Sequence, residues 1–267
     1  MDYAQTNNAL RSIKDMAELK KIVEFLNGKM HIEEYPDSSH NGLQVENSGR
    51  VKKICCGVDA SLEFFDGARK QGADLLICHH GISWGDSLKQ ITGLNYSRLS
   101  FLIKHDMALY ACHIPLDAHF QLGNNALLFK ALGLAGRKLF GDYRGKLIGY
   151  YGSLPRSQKL TLFRKRVEKI LATSVQSLEF GRDIVRTVGI VSGDGSDWIE
   201  EANRLNIDVF LTGETSLAGY NMAKDCAINV IFGGHYATES FGVKALGAAV
   251  ESKYGVESQF IDLNLPF

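Results

Sequence analysis

Two histidines in the chain are each followed four residues later by a carboxylate, in His113-Ile-Pro-Leu-Asp117 and His235-Tyr-Ala-Thr-Glu239. A third group, His79-His80, ends the apolar run Asp74-Leu-Leu-Ile-Cys78. Imidazole and carboxylate without thiolate is the ligand mix of hydrolytic Zn, Mn or Fe centres. Four histidines and two acids exceed what one tetrahedral ion uses. The set therefore suggests two ions, whose chemistry is to clamp a substrate and activate water at neutral pH.

Each residue also has an ordinary reading. Asp117 fits a metal ligand or an Asx-type turn. Glu239 fits a ligand or a charge favouring the positive end of a helix, with Thr238 as its N-cap. Asp59 and Ser61 read first as caps of the following helix, and His119 as a turn or supporting residue. His105 reads as a helix end, where a cation suits the dipole. Gly193-Asp-Gly-Ser196 could offer amides to a phosphate, but it lacks the lysine and spacing of a P-loop. No Gly-x-Ser-x-Gly elbow occurs.

These residues must be positioned by a frame. Apolar spacing predicts a helix over 13–27, then a loop over 31–48. An alternation follows: strand 53–58, helix 62–71, strand 73–78, helix 96–104, strand 108–112, helix 124–132. After a strand at 145–152, a helix at 157–172 and a strand at 175–180, it resumes. Strand 187–191, helix 198–205, strand 209–212, helix 216–225, strand 229–232, helix 238–252 and strand 258–262 complete it. Continuous apolar strands separated by helices mean an α/β protein with mostly parallel sheets. His79-His80, His113, Gly213-Glu214 and His235 all follow predicted strands, where ligands gather in such sheets.

The halves look alike. Val51–Ala60 with Gly72–His79 corresponds to Val185–Gly193 with Asn206–Gly213, and a His-x-x-x-acid segment closes each half. On this alignment His113 pairs with His235, Asp117 with Glu239, and His79-His80 with Gly213-Glu214. The expected organisation is two related α/β lobes, 1–133 and 134–267, facing each other across a dinuclear metal site.

Composition narrows the function. The 267 residues are 45% hydrophobic and 22% charged, ordinary for a globular protein. Thirty basic and thirty acidic residues cancel, so no global field draws the chain to DNA or a membrane. No apolar stretch is long enough to cross a bilayer. Five cysteines without a Cys-x-x-Cys pair read as reduced thiols, and Met1–Asn27 shows no signal-peptide core. The expected location is cytoplasmic.

The segments Asn41–Glu46, Ala73–Trp84, His113–His119, Leu122–Ala126, Thr212–Thr215 and Gly234–Glu239 resemble, in order, those of the YbgI-like dinuclear-metal-centre hexameric proteins. These are also called the GTP cyclohydrolase 1 type 2 homologue, or NIF-three-like, family. The resemblance runs from about residue 10 to the C-terminus and matches the short form, with only 134–186 between the halves. It implies that His80 and Asp117 hold one divalent ion (Zn, Fe or Mn), that His79 and His235 hold the other, and that Glu239 bridges them. His113 falls beside the site. It also implies a homohexamer, a trimer of dimers, with the sites facing an internal cavity. The resulting expectation is a metal-dependent hydrolase acting through a metal-activated water on a small molecule, with a nucleotide among the candidates. Glu239 would orient the water and His113 would move protons. The alternative is a non-enzymatic metal-binding or regulatory ring. A DNA-binding ring conflicts with the neutral charge.

Overall fold

The computed structural model describes residues 16–266. They form a mixed α/β protein in which both main sheets contain parallel strands. The first three residues of the helix expected over 13–27 lie outside the described residues. Inside them, a two-residue strand, Ala17–Glu18, precedes a helix running on to Met30. Leu19, Ile22, Leu26 and Met30 form its buried stripe, and His31 ends it in a left-handed conformation.

The chain divides into two compact units. One ends at His113 and also takes Val243–Leu263; the other is Ile114–Gly242, joined by the chain from Asn264 onward. These units do not follow a cut between 133 and 134. The reason lies in strand pairing: Glu257–Phe260 runs parallel to Lys53–Asp59 and completes the first unit's sheet, although it follows every strand of the second unit in sequence.

In the first unit, Lys53–Asp59, Leu75–His80 and Ala108–Ala111 are parallel neighbours. Ile54–Val58 and Leu75–His79 are buried throughout, as expected of strands covered on both faces. Phe64, Phe65 and Ala68 of helix Leu62–Lys70 pack into the core with Leu76, Leu102 and Leu109. Gly42–Val45, inside the expected loop, forms an antiparallel edge strand on Ala108–Ala111.

In the second unit, Ile184–Ile190, Val209–Thr212 and Asn229–Phe232 are parallel neighbours, with Gln176–Glu179 antiparallel on the Asn229–Phe232 edge. The strand expected at 145–152 is the longer Lys146–Lys159, which pairs with Ile184–Ile190 and with an unexpected strand, Ala135–Tyr143. The latter hairpin turns at Arg144-Gly145, both with positive φ, the geometry of a tight type I′ connection. Ala135–Leu139 is exposed, so its sequence carries no alternating apolar signal.

The two sheets share a motif. Each has three parallel strands in sequence order, flanked by an antiparallel edge strand that comes earlier in the chain. Local detail repeats too. The Asp74 carboxylate accepts from the amides of Lys52 and Lys53 at 2.7 and 3.0 Å, and that of Asp208 from Arg186 and Thr187 at 2.9 and 2.8 Å. Asn47 and Asn229 also donate to the carbonyls of Asp74 and Asp208, but from different places: Asn47 follows the edge strand Gly42–Val45 and Asn229 opens the third parallel strand. Two residues before each aspartate, Gly72 and Asn206 have positive φ. Ordinary βαβ units do not need an aspartate at this place, so the recurrence of Asp74 and Asp208 supports duplication.

Candidate metal centre

In the first unit, His79 and His80 end the strand Leu75–His80, and His113 lies two residues past Ala111. One ligand atom from each of the three lies within 4.8 Å of the others. Their ring centroids are 4.7 to 5.5 Å apart. Trp84 packs edge-on against His113 at 5.0 Å, its indole N–H donating to the Gly81 carbonyl.

Each of these imidazoles uses Nδ1 for a supporting contact. His79, fully buried, approaches the Cys112 carbonyl at 2.9 Å. A carbonyl only accepts, so His79 Nδ1 carries the proton and Nε2 the lone pair. His80 Nδ1 lies 2.8 Å from Asp59 Oδ1, at the end of the adjacent strand. Ser61, whose hydroxyl accepts from the Phe64 amide, caps the following helix, leaving Asp59 to support His80. His113 Nδ1 lies 2.9 Å from Oδ1 of Asp37, whose side chain is 2% exposed. Burial alone would raise the Asp37 pKa. Hydrogen bonds from His113, Asn41 and the Ser39 amide, with the charge on His113, outweigh it and hold the group at about 2. Imidazoles held through one nitrogen by a carbonyl or carboxylate are the usual form of metal-ligating histidine.

In the second unit, the helix begins at His235, earlier than expected, so His235 and Glu239 share a face one turn apart. His235 Nε2 lies 3.1 Å from Glu239 Oε2, and Nδ1 lies 2.9 Å from Glu214 Oε1. Burial pulls the His235 pKa down, but the two carboxylates outweigh it and raise it to about 9. The surroundings thus favour positive charge at this imidazole, as they would favour a bound cation. Thr238 is inside the helix and not its cap; its hydroxyl accepts from the Gly193 amide and reaches back to the Gly234 and His235 carbonyls.

Asp117 is buried in the short helix Ile114–Ala118. Its Oδ1 accepts from Asn124 Nδ2 at 2.8 Å and from Ser192 Oγ at 2.9 Å. The next residue, Gly193, has φ +67, and a Cβ there would overlap Glu239 Oε1 and sit 3.1 Å from His235 Nε2. The Ser192-Gly193 step therefore supports Asp117 and makes room for Glu239. Gly193, the first residue of the Gly193–Ser196 segment, thus has a packing role. His119 is a turn residue, its Nδ1 accepting from the amides of Gln121 and Leu122, and His105 ends the helix Gly93–Lys104. Glu214 carries the strand-end signal described for Gly213-Glu214, whereas Asp37, beside Asn41-Gly42, carries no signal of this kind.

A cavity of about 330 Å³ opens beside this second cluster, lined in part by Gly213, Glu214, Thr215, Phe232 and Gly234.

The sheets and clusters define the class first: a mixed α/β protein with histidine–carboxylate groups able to bind metal. Residues 17–265 match the Duf34/NIF3 (NGG1p interacting factor 3) family, and the chain belongs to it. It is 42% identical over 246 residues to a GTP cyclohydrolase 1 type 2 homolog of Deinococcus radiodurans, covering 92% of each chain. It is 44% identical to one of Pyrococcus abyssi, covering 92% of this chain and 98% of the relative. A solved structure described as protein ybgI, of unknown function, is similar with a TM-score of 0.86 at 32% identity, over 94% of this chain and all of that one. Among the described residues no helix is long and apolar enough to cross a membrane.

Proposed function

We propose that His79, His80, Asp117, His235 and Glu239 hold two divalent ions (Zn, Fe or Mn) and that the protein is a metal-dependent hydrolase of small molecules. The observation that carries the metal reading is the common state of the donors: His79, His80 and His235 each direct Nδ1 to a carbonyl or carboxylate. The missing Cβ at Gly193 lets the Glu239 carboxylate lie where a side chain would otherwise stand. Both features fit a cation site.

Divalent ions in such a site supply Lewis acidity, polarising a substrate oxygen and acidifying water. The remaining work falls to this chain's residues. Glu239 orients the attacking group, and His113, a general base, receives a proton at Nε2. The cavity beside Glu214 accepts part of a small substrate. Among the described residues its lining includes a carboxylate and no lysine or arginine, which suits a neutral or cationic group there better than a phosphate. A nucleotide would place its base, not its phosphates, in that space. Assembly as a homohexamer, a trimer of dimers, belongs to the same proposal.

The test is metal analysis of protein purified without chelators, followed by a substrate screen with the metal restored. Two equivalents per chain are expected. Glu239→Gln should lose at least one. His113→Asn should keep both, with hydrolysis falling roughly 10²–10⁴-fold. Equal metal loss in both variants would make His113 a ligand. Turnover of a confirmed substrate unchanged in both would make the site structural or regulatory.

A further inference from the structure

The strongest unassigned feature is the group around His113. The His113 amide donates to Asn41 Oδ1 at 2.7 Å. A backbone N–H can only donate, so the Asn41 atom there must be oxygen. Its Nδ2 then faces Asp37 Oδ2, at 2.9 Å. The Ser39 amide, again an obligatory donor, points at Asp37 Oδ1 at 2.9 Å. Both Asp37 oxygens are thus met by donors whose direction two peptide groups fix. Deep burial of the carboxylate leaves His113 Nδ1, at 2.9 and 3.2 Å from the two oxygens, as a third donor.

We propose that Asp37 and Asn41 are positioning residues that lock His113 as its Nδ1–H tautomer, with the Nε2 lone pair available at the His79–His80 cluster. The inference rests on the reading of His113 as a proton acceptor and names what makes it one. A neutral imidazole carries a single N–H, and the lock places it on the nitrogen away from the chemistry. When Nε2 takes a proton, the buried Asp37 carboxylate already faces the resulting imidazolium. The polarity of the network starts from the amides of Ser39 and His113, so the lock is a property of the fold and needs no substrate.

Asp37→Asn tests it closely. Asparagine must turn its amino group toward either the Ser39 amide or Asn41 Nδ2, both donors. On the Ser39 side it can instead donate to His113 Nδ1, which forces the proton onto Nε2. The readout is the pair of ring-nitrogen resonances of His113 in ¹⁵N-labelled protein, stripped of metal and reloaded with zinc. In the wild type, Nδ1 should read pyrrole-like and Nε2 pyridine-like, in the stripped and the zinc-loaded protein alike. In Asp37→Asn the stripped protein should show Nε2 moving to the pyrrole-like position, and Asp37→Glu should restore the original pattern at least in part. A wild-type His113 protonated at Nε2 overturns the proposal without any variant, which covers the case of a substitution that fails to fold. A folded Asp37→Leu protein, with no acceptor left at that position, that still carries the His113 proton on Nδ1 also overturns it. Zinc content measured on the same samples keeps the outcomes separate: failure to bind zinc counts against the metal reading and leaves the tautomer result intact.

Discussion

Gly193→Ala adds one methyl group, and the structure indicates where it acts. The residue has φ +67, a region that costs an L-residue roughly 1–2 kcal/mol. For a chain of this size that lowers Tm by roughly 2–8 °C. The new Cβ would also overlap Glu239 Oε1 and lie 3.1 Å from His235 Nε2. Ordinary carbon–heteroatom contact needs about 3.5 Å, so the carboxylate must withdraw by about 1 Å. The clash is with the far end of the Glu239 side chain, which is buried and ion-paired with His235. What suffers is the position proposed for Glu239 as a ligand. Disturbing groups that merely support a ligand costs roughly 10–100-fold in metal affinity, and displacing Glu239 itself should cost at least that.

Gly72→Ala supplies the control. Gly72 has φ +73, and among the described residues nothing lies within 4 Å of an ideal Cβ there. The two variants share backbone strain and differ in the clash. Zinc affinity, measured by competition with a chromophoric chelator, should be unchanged in Gly72→Ala and reduced in Gly193→Ala. Unfolding of the metal-free proteins should show at least as large a loss of stability in Gly193→Ala as in Gly72→Ala. If Gly193→Ala binds zinc as tightly as Gly72→Ala, the placement of Glu239 beside the ion is wrong.

Asp74→Ala and Asp208→Ala each remove a carboxylate that accepts from two backbone amides. Urea unfolding should show losses of about 2 kcal/mol in each, similar in size if the positions are equivalent. Asp37, held at about 2 against an ordinary 3.8, has a depressed folded pKa. Its contribution, about 2 kcal/mol, should be complete above pH 4 and withdrawn as pH falls toward 2, so the stability gap between wild type and Asp37→Asn should close over that window. Chelation should lower Tm and zinc should restore it, because an ion bound only to the folded chain stabilises it by mass action; calorimetry with and without chelator checks this.

The parallel strands were legible because strands buried on both faces are apolar throughout, as in Leu75–Cys78 and Val209–Leu211. The histidines were legible because they end such strands. What escaped was set by long-range contact. Ala135–Tyr143 is a strand by virtue of its partner, with five exposed residues in a row. Glu257–Phe260 reads correctly as a strand, but nothing local says that it pairs with Lys53–Asp59, two hundred residues earlier in the chain. Asp37 lies in a run of Pro, Ser and Asn that looks like a turn. Its meaning comes from His113, seventy-six residues away.

The repeat explains how one frame carries two kinds of histidine cluster. After the third parallel strand of each sheet comes a histidine whose Nδ1 meets a carboxylate: His113 with Asp37, and His235 with Glu214. The carboxylates come from different places. Asp37 precedes the antiparallel edge strand Gly42–Val45, whereas Glu214 follows the second parallel strand, at the position matching His79-His80. One unit thus uses the end of its second strand for imidazoles, and the other uses it for a support. A duplicated frame preserves strand ends as places where chemistry can be mounted, and each copy has filled them separately. Exchange of the support's charge separates the two uses. Glu214→Gln keeps the shape but removes one of the two carboxylates that hold His235 near 9, so the His235 pKa, followed by NMR in the metal-free protein, should fall toward its ordinary value. A pKa that stays near 9 would mean that Glu239 alone sets the charge there, and that the matching supports of the two histidines are coincidence.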